Sequence, residues 1–270
     1  MRTGFPTRAL AALLLVLLPA PLVIVIGSSF SPRAVLGFPP PGFSWRWYVE
    51  FLGTPSWLVA FGISAALALV SAVLTTLASI GAALALRRAP ARLRGIAETA
   101  ILAPLLFPHA ALAIGFLGWL GMAGLGGSFA GMLIAHLVLC APFAYRPVAV
   151  SLAQIDSSLP EAATILGAEP GQAFRRVVLP LLRPGIAASL LFGFIISFDE
   201  VTVSMFLVGP EFTTLPVAIY ARLNDSADPV VAAISSILIL LTAGLVLLMD
   251  RLVGLRIFVD IEEDGRHPSA

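Results

Sequence analysis

Asp199 and Glu200 stand side by side in an otherwise apolar run, residues 185–208. A carboxylate is costly to hold inside a bilayer, so its presence there points to function: a place on a solute path, or an ion pair or hydrogen bond that fixes a neighbour. Neighbouring positions on a helix point about 100° apart, so the two acids are expected to have different partners, one the path and the other a helix or subunit. Acids along a pore lower the energy of a passing ammonium and raise that of a passing anion. Other chemistry is poorly supplied. All sixteen basic residues are arginine, and a chain without lysine cannot build the Gly-Lys-Ser/Thr turn of a phosphate-binding P-loop. There is no Gly-x-Ser-x-Gly elbow and no His-Glu-x-x-His pair, so no hydrolytic site is expected and the chain reads as non-catalytic. Three histidines and one cysteine form no metal-ligand pattern. His109 and His136 read as hydrogen-bonded packing residues and Cys140 as a small buried one.

A second polar feature is the long interruption from Ser158 to Ile186. Ser158 followed by Glu161 fits a capping box and predicts a short helix from Leu159 or Pro160. Gly167 is placed to end it in a left-handed conformation, and Pro170 can open a second helix, where its missing amide costs nothing. The expectation is a helix-turn-helix outside the bilayer, with Phe174, Val177 and Val178 on an apolar side. Arg175 and Arg176 would keep it at the wet surface, and Pro180 and Pro184 would separate it from the next span.

The elements that must position these residues are membrane helices. With 59% hydrophobic and 11% charged residues and a mean hydropathy of +1.00, the chain is no soluble domain, where about a quarter of residues are charged. Windows of about 20 apolar residues give six spans, at residues 10–28, 57–86, 96–120, 128–150, 185–208 and 230–249, within one transmembrane domain covering 1–270. The first run is too long for a signal peptide and reads as a retained span. Ala60, Ser64, Ala68, Ala72 and Thr76 form a small-residue stripe that lets helices approach closely. Pro104 and Pro108 should kink the third span, beside His109. Trp45, Trp47, Tyr48 and Trp57 are expected at the outer interface. With the N-terminus inside, thirteen arginines fall on the cytoplasmic side, Arg2, Arg256 and Arg266 among them, and three outside. The positive-inside rule therefore places both termini and the loop 153–183 in the cytoplasm. The polar tail from Asp260 to Ala270 suggests no function.

The order Glu161-Ala162-Ala163, Gly167 four residues later, then Val177 and Leu179-Pro180 resembles the EAA loop of permease subunits of ABC importers, in which isoleucine commonly stands at the position of Val177. The resemblance implies an all-α integral membrane fold of the type I ABC importer permease kind, six transmembrane helices with a cytoplasmic coupling loop. It carries over Glu161, Ala162, Ala163, Gly167, Phe174, Leu179 and Pro180 as ATPase-coupling residues. It implies an ABC ATPase dimer, a second permease subunit forming a heterodimer, an extracytoplasmic solute-binding protein and the lipid bilayer as partners, and no nucleic acid. No cofactor is expected on this chain, since ATP and Mg would bind the partner ATPase. Location in a bacterial inner (cytoplasmic) membrane follows.

Ser197, Asp199, Val201, Ser204, Phe206, Gly209-Pro210, Leu215-Pro216 and Asp228-Pro229 are similar to the corresponding region of spermidine/putrescine permeases, as are Phe43-Ser44 and Trp47-Tyr48. Those proteins commonly carry two aspartates where this chain has Asp199 and Glu200. Polyamine import is the implied function, with Asp199 and Glu200 as substrate-path candidates. Permeases for aminoethylphosphonate, thiamine and opines share the layout. A proton-coupled secondary transporter, with the acids and histidines as a relay, is the rival from another class and leaves the EAA-like loop unexplained.

Overall fold

The computed structural model describes residues 5–209, 212–226 and 228–253. Arg2, Arg256, Arg266, Pro210 and the tail from Asp260 lie outside them. In chain order the α-helices are α1 (Phe5–Leu17), α2 (Ala20–Ser28), α3 (Arg46–Gly53), α4 (Pro55–Arg87), α5 (Ala91–Leu102), α6 (His109–Met122) and α7 (Phe129–Ala153). They continue with α8 (Ser158–Ile165), α9 (Pro170–Ala173), α10 (Leu179–Phe198), α11 (Ser204–Leu207), α12 (Leu215–Asp225) and α13 (Pro229–Val253).

Five helical segments are long and apolar enough to cross a membrane: Arg8–Ser28, Pro55–Arg87, Phe129–Ala153, Pro170–Phe198 and Pro229–Arg251. A sixth forms if the bent pair Ala91–Leu106 and His109–Met122 counts as one span. The bend is 104°. Pro104 and Pro108 account for it: a 3₁₀ turn over Ala103–Leu106 ends in extended backbone at Phe107, and α6 restarts at His109.

The fifth span differs from the expected 185–208. It starts earlier, because Pro180 and Pro184 do not break it. A π-turn over Phe174–Val178, in which the Leu179 amide reaches back to the Phe174 carbonyl, absorbs Pro180 in a widened turn, and the helix runs on to Phe198. It also ends earlier, at Asp199, for a reason given below.

The chain divides into two compact units. One comprises residues 1–61 and 217–244. In it, α1 and α2 expose apolar side chains along their length, Leu15 at 74% and Val16 at 72%, as a lipid-facing span would. The loop before α3 is organised by aromatics: Phe30 stacks on Phe43 at 4.6 Å and meets Trp45 edge-on at 5.0 Å. Trp47 is buried, and its indole N–H finds a partner there, donating to the Ser31 carbonyl at 2.7 Å.

The other unit comprises residues 62–216 and 245–270. The small-residue stripe of α4 behaves as expected: Ser64, Ala68, Ala72 and Thr76 are all buried. A Cβ added at Gly193 of α10 would lie 3.1 Å from the Cα of Ala72, and Thr76 shares a 2.8 Å hydrogen bond with Ser189. Interhelical hydrogen bonds in membranes average only about 0.6 kcal/mol, so close backbone packing contributes more to holding α4 against α10. Among the described residues, two apolar clusters hold the unit. One joins α4, α6, α7 and α11 through Leu67, Leu120, Met132, Leu139, Val203 and Leu207. The other joins the far ends of α4 and α7 to α10 through Ala83, Tyr145, Val148, Ile155, Val178 and Leu182.

Candidate functional site: a coupling loop and a broken acidic helix

The polar loop folds as two short helices, with one change in how the first begins. Ser158 and Glu161 form no capping box. Asp156 accepts the Ser158 amide at 2.9 Å instead, and this bond holds the Asp156 carboxyl below the usual carboxylate range. An aspartate two residues upstream satisfies the Ser158 amide, which the Glu161 side chain was expected to satisfy. The C-terminus of α8 follows expectation. Gly167 has φ +88°, the Ala168 amide bonds the Ala163 carbonyl, and the Gly167 amide bonds that of Thr164, both at 3.0 Å. This is a Schellman closure, which needs a residue that tolerates left-handed backbone. Pro170 opens α9 as anticipated, and the Gln172 side chain accepts the Glu169 amide.

The structure therefore gathers Glu161, Ala162, Ala163 and Gly167 on one short exposed helix and its cap. Phe174, Leu179 and Pro180 lie elsewhere, half-buried on and just after the π-turn, with Phe174 packed against the inner apolar cluster. Two residues escaped the sequence reading. Ile165 is 86% exposed and Leu166 88% exposed, adjacent at the tip of α8. Their signal was the pair of large apolar residues directly before a capping glycine in a loop expected to be wet.

The second site is the end of α10. Asp199 and Glu200 are not inside a helix, as their apolar context suggested, but at its break. Asp199 is the C-cap, with φ −92° and ψ 0°. Glu200 turns back so that one carboxylate oxygen accepts the Val203 amide at 2.6 Å. This local bond competes with the helical ladder, and the β-branched Val201, Thr202 and Val203 favour the break further. The second oxygen of Glu200 lies 3.3 Å from Nδ1 of His109, the first residue of α6 after the bend. Glu200 is buried and fully engaged. Asp199 is exposed, and its carboxylate makes no hydrogen bond or ion pair among the described residues.

The two acids thus have different surroundings, as the helical offset suggested, although the offset itself is lost at the break. His136 is a packing residue. Fully buried on α7, it bridges Ser197 of α10 at 2.7 Å and Ser204 of α11 at 3.0 Å, fixing both sides of the break. His109 holds Glu200 rather than α6 alone, a contact that separation in sequence concealed. Cys140 is buried and directs its thiol to the Gly193 carbonyl. Among the described residues no three His, Cys, Asp or Glu side chains are grouped to hold a metal.

Comparison with known proteins agrees with this architecture. Residues 75–255 match the family described as binding-protein-dependent transport system inner membrane component. The spermidine/putrescine transport system permease protein PotC of Escherichia coli (strain K12) is 31% identical over 247 residues, covering 92% of this chain and 91% of that protein. The putative 2-aminoethylphosphonate transport system permease protein PhnV of Salmonella typhi is 29% identical over 234 residues, covering 86% and 88%. A chain in the crystal structure of a bacterial ABC transporter involved in the import of the acidic polysaccharide alginate superposes with a TM-score of 0.72 at 22% identity, covering 92% of this chain and 95% of that one. The chain belongs to the binding-protein-dependent transport system inner membrane components, multi-pass permease subunits of ABC importers that are themselves non-catalytic and work with an ATPase and a periplasmic binding protein.

Proposed function

We propose that this permease carries a polyamine such as spermidine or putrescine, or a related amine-bearing solute, and that Asp199 meets the solute's ammonium group. The observation that carries this reading is the exposed carboxylate of Asp199 at a helix break in apolar sequence, with no partner among the described residues. A charge so placed is costly unless a cation meets it. Glu200 is already satisfied by the Val203 amide and His109, so its part is to hold the break open beside the path. Relatives support an amine: PotC is named for spermidine and putrescine, and PhnV for 2-aminoethylphosphonate, which also bears an amino group. The likeness to the alginate transporter supports the fold alone.

In this reading the whole chain is one permease domain that pairs with a second permease of different sequence. ATP and Mg bind the ATPase dimer, and the exposed tip of α8, with Glu161, Ala162, Ala163 and Gly167, docks into it. Both termini are cytoplasmic. The run of arginines between α4 and α5 and in the π-turn supports that orientation.

The test is uptake of labelled putrescine and 2-aminoethylphosphonate by the complete importer with Asp199→Asn. Losing one ion contact worth about 1.4 kcal/mol or more lowers uptake about tenfold or more, while the ATPase stays bound. Wild-type uptake of both solutes by the variant would remove Asp199 from the path.

A further inference from the structure

Seven of the described arginines cluster near the inner ends of the helices, Arg87, Arg88, Arg92, Arg94, Arg175, Arg176 and Arg183. The positive-inside rule explains their charge but treats them alike. The structure does not. Arg87, the last residue of α4, donates from Nη2 to the Ile155 carbonyl at 2.9 Å and from Nη1 to the Leu152 carbonyl at 3.4 Å. Those carbonyls belong to the end of α7 and to the segment where the chain leaves it for α8. Arg94 of α5 in turn donates to the last carbonyls of α4, Leu86 at 3.1 Å and Arg87 at 3.4 Å, and to the Ala89 carbonyl just beyond it at 3.5 Å. One turn further along α5, Glu98 accepts a hydrogen bond from Tyr145 of α7 at 3.1 Å. The guanidinium groups of Arg88, Arg92, Arg175 and Arg176 are exposed and make no hydrogen bond or ion pair among the described residues.

We propose that Arg87 is a positioning residue for energy coupling, a strut that passes displacement of the cytoplasmic loop to α4, with Arg94 extending the connection to α5. This role rests on the reading of α8 as the ATPase-docking helix. Its physical ground is the hinge formed by Gln154, Ile155, Asp156 and Ser157 between α7 and α8. An untied hinge would absorb motion of α8 by changing its own backbone angles. Ile155 is tied twice: its side chain is buried in the inner apolar cluster with Val178 and Leu182, which links it to α10, and its carbonyl is held by Arg87, which links it to α4. Guanidinium donors also suit the carbonyl end of a helix, where partial negative charge collects. From α5 the connection continues through the bend to His109 and so to Glu200 at the break in α10. Intermediacy in space is not coupling, so coupling itself must be measured.

The experiment uses the complete importer in lipid nanodiscs and proteoliposomes and measures ATP hydrolysed per solute transported, with ATPase co-purification alongside. Arg87→Ala is expected to retain the ATPase and to raise the ATP-to-solute ratio about three- to tenfold, the range for losing the typical net contribution of a part-buried hydrogen bond. Arg87→Lys, whose ammonium can still reach one carbonyl, is expected to recover part of the loss. A wild-type ratio in Arg87→Ala overturns the strut, and so does loss of the bound ATPase, which would make Arg87 a docking residue. If Arg87→Ala fails to assemble, Arg94→Ala decides: it cuts the second connection without touching the loop, and an unchanged ratio overturns the proposal. Failure of the docking reading is seen separately, as unchanged ATPase affinity in Leu166→Glu.

Discussion

Truncation of the apolar tip of α8 is the sharpest perturbation the structure offers. Ile165 and Leu166 are 86% and 88% exposed at the end of α8, well beyond Leu159 at its start, which is 47% exposed. Leu166→Ala removes three carbons, each worth about 0.8 kcal/mol when buried. Nearly nine-tenths of the side chain is free to be covered by a partner, so the loss on docking is about 2 kcal/mol, or roughly a 30-fold weaker ATPase affinity. The double truncation with Ile165→Ala should approach twice that free energy, less any coupling between neighbours. Because both side chains touch little of their own chain, the variant should fold as the wild type does. Fluorescence anisotropy of labelled ATPase titrated with permease complex in nanodiscs measures the affinity directly. Leu106, 78% exposed in the bend before α6, is the control, and Leu106→Ala should leave the affinity unchanged. A change below about threefold for Leu166→Ala, or an equal loss for Leu106→Ala, would refute the assignment of the tip as a docking knob.

Other outcomes follow from the same geometry. At Gly167 an added Cβ meets nothing within 4 Å, so the conformational cost alone acts; Gly167→Val should cost about 1–2 kcal/mol and impair ATPase co-purification, whereas Gly167→Asn, tolerant of left-handed backbone, should largely retain it. At Gly185 an added Cβ lies 2.5 Å from Cβ of Ser151 and 2.7 Å from the Pro147 carbonyl oxygen, so Gly185→Val should force α10 and α7 apart at a cost of about 1–3 kcal/mol, read as a lower melting temperature. Glu200→Ala should destabilise the complex by about 1–3 kcal/mol by stranding the buried Val203 amide, while Glu200→Gln, which keeps the acceptor, should melt close to wild type. Asp156 has a depressed pKa, so its stabilising contribution is present above the usual aspartate value and lost as pH falls through the folded one. Wild-type and Asp156→Asn loops should therefore differ in protease susceptibility above about pH 4 and converge only as the pH falls from there through the lower, folded value.

What the sequence revealed and what it concealed divide along a physical line. The turn at Gly167, the start at Pro170, the bend at Pro104 and Pro108 and the stripe on α4 were legible because each depends on residues within one turn or one helix face. Misread features depended on a choice between competing local bonds. Asp156 displaced Ser158 as the cap, and a π-turn accommodated prolines that were expected to end a helix. His109 with Glu200, His136 with Ser197 and Arg87 with Ile155 join positions 61 to 91 residues apart, so no local pattern could announce them. The exposed tip was missed for a different reason: exposed apolar residues and buried ones have the same letters, and only the fold shows that nothing covers Ile165 and Leu166.

The acid pair shows why architecture and solute must be argued separately. A related backbone appears in a transporter involved in the import of an acidic polysaccharide, so the helices cannot by themselves select for positive charge. Selection must come from side chains at a few positions, and here the structure distinguishes two acids that composition treats as equal. Glu200 contributes little net field to its surroundings, because His109 and the Val203 amide stand against its two oxygens. Asp199 has no such compensation among the described residues, and in a medium of low dielectric an uncompensated charge dominates the local potential. Its place at a helix end, rather than in the middle, leaves it exposed without pulling a ladder hydrogen bond apart. The break in α10 and the exposed acid are therefore one device: Glu200 makes the break, and the break presents Asp199.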